Sequence, residues 1–371
     1  MSEYQYYEFR SIDRSLTQKE KEEISSWSTR ALVTNASAIF EYHYSDFPKD
    51  CLEVVEKYFD VMFYIANWGT RRLIFKIPNT FIDKNIKQYC AEGLEIYDFK
   101  EFILIDIWLE EDDDDGGWIE GEGMLNSLIT LRNDIISGDY RSLYLLWLKV
   151  STESVMSDYS EVDEYSIEPE LPNGLKKLNG ALEELLNVFG IDREVVDVAS
   201  EISEPLKQEI GIDYADKISN LTEAEKNEWL LRLVDSEPLL AQKIKKHFSP
   251  KTSESQKHSA RTVKDIVETF LSVKEKRKEK ERLVREEKRL EKLRKIEEKE
   301  NSLWAEVYSL IREKKTKAYD EAVSLLKSLK ELAVHKKRYE EFKAKIIYIK
   351  TENSRLNGLI GRINSANLLK E

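Results

Sequence analysis

The sequence predicts an α+β N-terminal domain, a mixed sheet with helices, followed by an all-α domain, a long charged helix and a C-terminal antiparallel helical array. Three observations carry that order. Charge is split along the chain: residues 1–250 hold 26 Lys+Arg against 50 Asp+Glu, a net of −24, and residues 251–371 hold 32 against 21, a net of +11. Helix breakers are split the same way, since no Gly or Pro occurs from Lys251 to Asn357 whereas all seven Pro and eleven of the thirteen Gly come earlier. Strand-like and helix-like spacings interleave up to residue 150, and only helical spacing follows.

Residues 4–12 alternate and are rich in aromatics, which predicts a strand. Thr17-Gln18-Lys19-Glu20 is a capping box that opens a short helix ending near Trp27. Residues 31–44 read as extended chain. Cys51, Leu52, Val55, Tyr58, Phe59, Met62 and Ala66 recur at helical spacing and predict one amphipathic helix. A strand from Arg72 closes at Pro78, a short helix runs through Ile82, Ile86 and Tyr89, and residues 94–97 and 102–109 form a hairpin turning at 98–101. After the acidic loop Glu110–Gly123 come helices over about 125–136 and around Leu143–Leu148. A mixed sheet of four or five strands is expected for this 1–150 domain.

Residues 151–172 are acidic and end in Glu168-Pro169-Glu170-Leu171-Pro172, an expected linker. A small helical domain over 173–250 follows from the Leu175–Phe189 stripe, the capping box Thr222-Glu223-Ala224-Glu225 and Pro238 near a helix start. The long charged helix is assigned to 251–315. If Thr262 to Ile311 were one rod it would span about 75 Å at 1.5 Å per residue. Glu281→Arg285, Glu291→Lys295, Glu275→Lys278 and Glu279→Arg282 have the spacing of helix-supporting ion pairs. Stripes at Ala322–Leu332, Tyr339–Ile349 and Leu356–Ile363 define the terminal array over 316–371, with a bend expected near Val334–Lys337.

At 371 residues two or three domains are expected. The two cysteines, Cys51 and Cys90, sit in apolar segments and read as buried free thiols in a reducing compartment. The first seven residues have neither a basic nor an apolar signal-peptide region, and no stretch approaches the length of an apolar membrane span. A cytoplasmic protein without a membrane partner is the expectation.

Few motifs carry chemistry. The loop Glu110–Gly123, with Asp112, Asp113, Asp114 and Asp115, could hold a hard cation, but it lacks the ligand spacing of a calcium loop. Gly116 and Gly121 have phosphate-loop spacing, yet Glu122-Gly123 stands where Lys-Ser/Thr is needed. A solvated loop, or an electrostatic contact for a basic partner, is the plainer account. At Asn67-Trp68-Gly69-Thr70-Arg71-Arg72, Trp68 can staple helix to sheet, and Arg71 and Arg72 could alternatively grip a phosphate or carboxylate. Asp83, Asp98 and Lys100 mimic the acid…acid-x-Lys pattern of metal-dependent nucleases, a loose pattern that arises readily by chance. There is no Gly-x-Ser-x-Gly, Cys-x-x-Cys or His-Glu-x-x-His, and His43, His247, His258 and His335 are scattered. Lys274, Lys276, Arg277, Lys278, Lys280 and Arg282 open a basic run that could track a phosphate backbone or serve as a mixed-charge helical spacer.

The segments Tyr6-Tyr7-Glu8-Phe9…Ile12-Asp13-Arg14, Ala66-Asn67-Trp68-Gly69-Thr70-Arg71-Arg72-Leu73 and Leu143-Tyr144-Leu145-Leu146-Trp147-Leu148 together resemble a bacterial protein family. The resemblance spans most of the chain, implies a bacterial origin, and brings no assigned activity, cofactor or catalytic residue with it. The expected function is therefore that of a non-enzymatic interaction or scaffold protein of a bacterial multi-protein system. It would use the charged helix and terminal helices to dock protein partners or to self-associate. Two alternatives stand beside it: an accessory to a helicase or nuclease that binds nucleic acid through residues 251–371, and a metal-dependent nuclease. No cofactor is expected. The opposed charges also predict a weak, salt-screened contact between Lys274–Lys299 and an acidic surface of the same or a second copy.

Overall fold

The computed structural model describes residues 3–110, 120–156, 165–206, 213–248 and 261–369. The chain forms two compact units, residues 1–272 and 273–371. Charge follows that division: the first carries 30 Lys+Arg against 53 Asp+Glu, a net of −23, and the second 28 against 18, a net of +10.

Unit 1 is built on a seven-stranded sheet. Its elements begin with β1 (Gln5–Arg10), α1 (Gln18–Ser25), β2 (Leu32–Val33), β3 (Ser37–Tyr42), α2 (Cys51–Tyr58), β4 (Val61–Ala66), β5 (Thr70–Pro78), β6 (Leu94–Asp98) and β7 (Phe102–Glu110). Spatial order is β2-β3-β1-β4-β5-β7-β6, and every pairing is antiparallel. The expected α+β order is present, with an antiparallel sheet of more strands than the four or five in mixed arrangement that the sequence suggested. The expected 94–109 hairpin forms, with Leu94 opposite Ile107 and Asp98 opposite Ile103, so Asp98 ends β6 instead of opening the turn as the sequence suggested.

The helix expected over 51–66 is in fact helix followed by strand. Asp50 caps α2, the chain leaves it at Phe59 in an extended conformation, and β4 begins at Val61. Central strand β4 is buried at all six positions, so Val-Met-Phe-Tyr-Ile-Ala shows no alternation and imitates a helical stripe. Alternate β4 residues serve opposite layers. Phe63 and Ile65 join Tyr6, Phe75 and Ile105 in one core, whereas Met62 and Tyr64 join Phe9, Phe40 and Ile74 in the other.

The second core is closed by Ile24 of α1 and by Val54, Val55 and Tyr58 of α2. The first is closed by α3 (Met124–Leu128), α4 (Thr130–Ile136), α5 (Arg141–Met156), α6 (Gly180–Val188) and α7 (Arg193–Ser200). Residues 151–156, expected as the start of a linker, are the last turns of the apolar helix α5, and Glu168 is buried in unit 1 rather than solvated. Leu182, Leu185 and Val196 of the expected separate helical domain share the core of the sheet. By contrast α8 (Tyr214–Ser219) and α9 (Glu223–Val234) bury no residue, and α10 (Leu240–Phe248) buries only Leu240.

Next, α11 (Val263–Glu298) starts inside the unit 1 core with Val263, Ile266, Val267 and Phe270. In unit 2, Leu293 and Ile296 of α11 pack with α12 (Glu300–Arg312), α13 (Thr316–His335), α14 (Tyr339–Glu352) and α15 (Asn357–Ser365), with α13 touching the other three. The rod expected from Thr262 to Ile311 is broken at Lys299, whose φ of −109° and ψ of 8° are not helical. The break lets Leu293 and Ile296 share one core with Trp304, Val307 and Ile311. The bend expected near Val334–Lys337 is present, with Lys337 in the left-handed region at φ 55°.

Candidate functional site

The residues singled out by sequence fall in separate places. In the β4–β5 turn Gly69 takes φ 98°, Trp68 is 45% exposed, and Arg71 is buried with Nη1 donating to the Gly69 carbonyl at 2.9 Å. Arg72 points to the other sheet face. Its guanidinium donates to both Asp106 carboxylate oxygens at 2.8 and 2.7 Å and lies over the Trp108 ring at 4.6 Å. The pair of arginines is thus divided between two faces by strand alternation, and Arg72 already holds a carboxylate bidentately.

Asp112, Asp113, Asp114 and Asp115 lie outside the described residues. Beside the loop's N-terminal end, Glu92, Glu95, Trp108, Glu110, Lys149 and Glu153 line a cleft of about 500 Å³. Asp98 pairs with Lys87, Asp83 caps the short helical turn 84–89 by accepting from the Asn85 N–H at 3.1 Å, and Lys100 is exposed in the hairpin turn. Among the described residues no three His, Cys, Asp or Glu side chains converge as a metal ion would need. Cys51 and Cys90 are free thiols, Cys51 buried as expected but Cys90 exposed, and burial pushes that of Cys51 up to about 12. His43 pairs with Glu41, and His247 packs edge-on against Trp229.

Among the described residues the basic run holds the longest unbroken exposed stretch. Its helix starts firmly: Thr262 N–H and Oγ1 both donate to Asp265 at 2.8 Å, and Asp265 N–H donates back to Thr262 Oγ1 at 3.2 Å, a reciprocal cap. From Glu275 to Arg289 every residue is exposed, so Lys276, Arg277, Lys278, Lys280 and Arg282 all face solvent, with Lys274 half-buried at the head of the run. Local ion pairs hold the helix: Arg282–Glu279 at 2.7 Å, Arg277–Glu281 at 3.4 Å, Arg289–Glu286 at 3.5 Å and Lys295–Glu291 at 2.7 Å. Two of the four pairs expected from spacing form, and Glu281 turns to Arg277 rather than Arg285. Hydrogen bonds from Arg282 and Lys295 hold the Glu279 and Glu291 carboxyls below their usual range.

Sequence reasoning missed two buried ion pairs. Glu168, with no exposed side-chain surface, accepts from Arg261 Nε and Nη2 at 2.8 and 2.7 Å and from the Tyr144 hydroxyl, while Arg261 Nη2 also reaches the Ala199 carbonyl. Burial, then the Glu168 carboxylate, pushes the Tyr144 hydroxyl well above its usual range. The neighbouring backbone is tied as well, with Glu168 N–H to Arg261 O at 2.9 Å and Val263 N–H to Ser166 O at 3.0 Å. This clasp anchors the start of α11 in unit 1. Arg132, fully buried, holds Asp13 at 3.1 and 2.6 Å and the Lys76 carbonyl at 2.8 Å. Separations of 93 and 119 residues leave no local signal for either.

No protein-family model, curated protein or solved structure matches the chain. No described helix is long and apolar enough to cross a membrane.

Proposed function

We propose that the chain is a non-enzymatic interaction protein whose docking elements are α11 and the helices of unit 2. One observation carries this proposal: α11 is exposed on every side from Glu275 to Arg289, although it begins in the core of unit 1 and ends in that of unit 2. Such a stretch buries nothing to offset its ordering, and i,i+3 or i,i+4 ion pairs give only about 0.2–0.5 kcal/mol each. It is held helical by packed turns at both ends, and what it offers is charged surface. A reducing cytoplasm fits the two free thiols, and a multi-protein assembly supplies the partners.

The test uses the full-length chain. Light scattering across salt concentrations measures self-association, and lysine cross-linking in the native host locates contacts. Cross-links to partner or second copy should concentrate on Lys276, Lys278, Lys280 and Lys288 rather than on the lysines of unit 1. A monomer whose α11 lysines cross-link to nothing, or a purified chain that turns over a substrate unaided, overturns the proposal. A second reading, contact with nucleic acid, is favoured by the +10 charge of unit 2.

A further inference from the structure

We infer that one face of α11 binds the phosphate backbone of a nucleic-acid duplex, an inference that rests on α11 being a docking element. Lys274, Lys278, Arg282, Arg285, Arg289 and Lys292 follow one another at steps of four, four, three, four and three residues. At about 100° per residue all six fall within roughly 40° of a common line along the helix, and no Asp or Glu shares that arc. On the opposite side Lys276, Lys280 and Arg294 are interleaved with Glu287, Glu291 and Glu298, so charge cancels there. One face of an otherwise mixed helix is therefore a cationic row.

The row is open. Arg282, Arg289 and Lys292 keep 74%, 55% and 64% of their side-chain surface exposed. Their carboxylate partners are Glu279, Glu286 and Glu331, which lie outside that arc, and ion pairs this exposed are too weak to hold the row against a polyphosphate. Eighteen residues of helix rise about 27 Å, giving one cation per roughly 5 Å. A single-sign row fits a linear polyanion, and a duplex carries one negative charge per about 1.7 Å of its axis.

Other occupants fit less well. A bilayer surface requires a broad apolar face, and here Leu283 and Val284 stand isolated among charges. A second copy offers an acidic unit 1 in which 30 bases are mixed among 53 acids, and it brings a further +10 unit with it. No aromatic residue lies between Phe270 and Trp304, so nothing in the row can stack on bases. The contact is therefore made to backbone and is independent of sequence.

The test is fluorescence anisotropy of a labelled 20-base-pair duplex of arbitrary sequence with the full-length chain, from 50 to 250 mM KCl. Six phosphate contacts predict a slope of log affinity against log salt of about −5. Arg282→Gln/Arg285→Gln/Arg289→Gln should weaken binding at 50 mM by at least about tenfold and flatten the slope by about 3. Lys276→Gln/Lys280→Gln/Arg294→Gln removes the same charge from the same helix and should leave the slope within about 1 of wild type. Helix content by circular dichroism confirms that both variants fold. No binding at 50 mM, or equal losses in the two triple variants, overturns the inference. If the duplex is not bound but light scattering shows association that only the first triple variant abolishes, the occupant is a second copy and α11 remains a docking element. Binding to phosphatidylserine vesicles in place of duplex likewise overturns the inference and spares that element. If neither triple variant alters any association, both fall together.

Discussion

Replacing Arg261 by Met should be among the most damaging single changes in unit 1. The substitution leaves Glu168 without the guanidinium that meets both its oxygens at 2.7 and 2.8 Å, in a place where its side chain has no exposed surface. Removing one partner of a buried ion pair costs about 3–5 kcal/mol, because the remaining charge is neither hydrated nor compensated. Tyr144 still donates to Glu168 and offsets part of that cost, so about 3 kcal/mol is the expected net loss. For a unit of this size, each kcal/mol moves the melting temperature by about 2–4 °C, so a fall of about 6–12 °C is expected. The double variant Arg261→Met/Glu168→Gln removes the stranded charge. It should recover at least about 1.5 kcal/mol relative to the sum of the single changes, a coupling within the range for contacting groups. Calorimetry on the full-length chain reads unit 1, and hydrogen exchange at the Val263 and Glu168 amides reports the clasp directly. If Arg261→Met melts within 2 °C of wild type, or the two changes are additive, Glu168 and Arg261 do not act as a buried pair.

Three further outcomes follow from the same reasoning. Gly121→Ala would drive a methyl carbon into the Tyr6 ring and to 2.8 Å from Ile65, both in the sheet core. It should cost about 1–3 kcal/mol by overpacking, seen as a lower melting temperature. Phe342→Ala empties a buried site against Trp304, whose ring lies 5.9 Å away, and should lower the urea midpoint of unit 2 with a loss of about 3–5 kcal/mol. Hydrogen bonds from Arg14, with those of Thr17, lower the Glu20 carboxyl to about 2. Its unfolded value is about 4.3, so the stability it adds is complete above that value and is lost as pH falls toward the folded one. Glu20→Gln should therefore flatten the melting profile between pH 6 and pH 3, and an unchanged profile would show that the capping box carries no such charge.

How much of this was legible depended on whether the signal was local. Both capping boxes, at Thr17 and Thr222, form as their spacing indicates, and the 94–109 hairpin is present with its turn one residue later than expected. β4 was misread because a strand buried on both faces has no polar alternation to mark its period. The ends of α12 and α13 were placed from the gaps between apolar stripes, with no breaker to mark them. The chain turns there at Lys314 and Lys337, with φ of 54° and 55°, where composition advertises a continuing helix instead of the usual glycine. Of the candidate site, the basic run was visible as composition. Its one-sided placement appears only when the residues are set on a helix whose bounds are known, and the clasp that anchors it joins residues 93 positions apart.

Because the beginning of α11 belongs to the sheet core, unit 1 has a timing problem during synthesis. Tyr4 and Tyr6 share a hydrophobic cluster with Val263, Ile266, Val267 and Phe270, whereas the preceding buried members of that cluster end at Ala199. At about 5–20 residues per second, the ribosome needs roughly 3–14 s to make the 64–71 residues between them. For that interval the part of this core that the start of α11 packs against is open on the nascent chain, a window in which a chaperone can bind it. Unit 2 emerges afterwards, with a core drawn from Leu293 to Leu368, and can close behind an already completed neighbour.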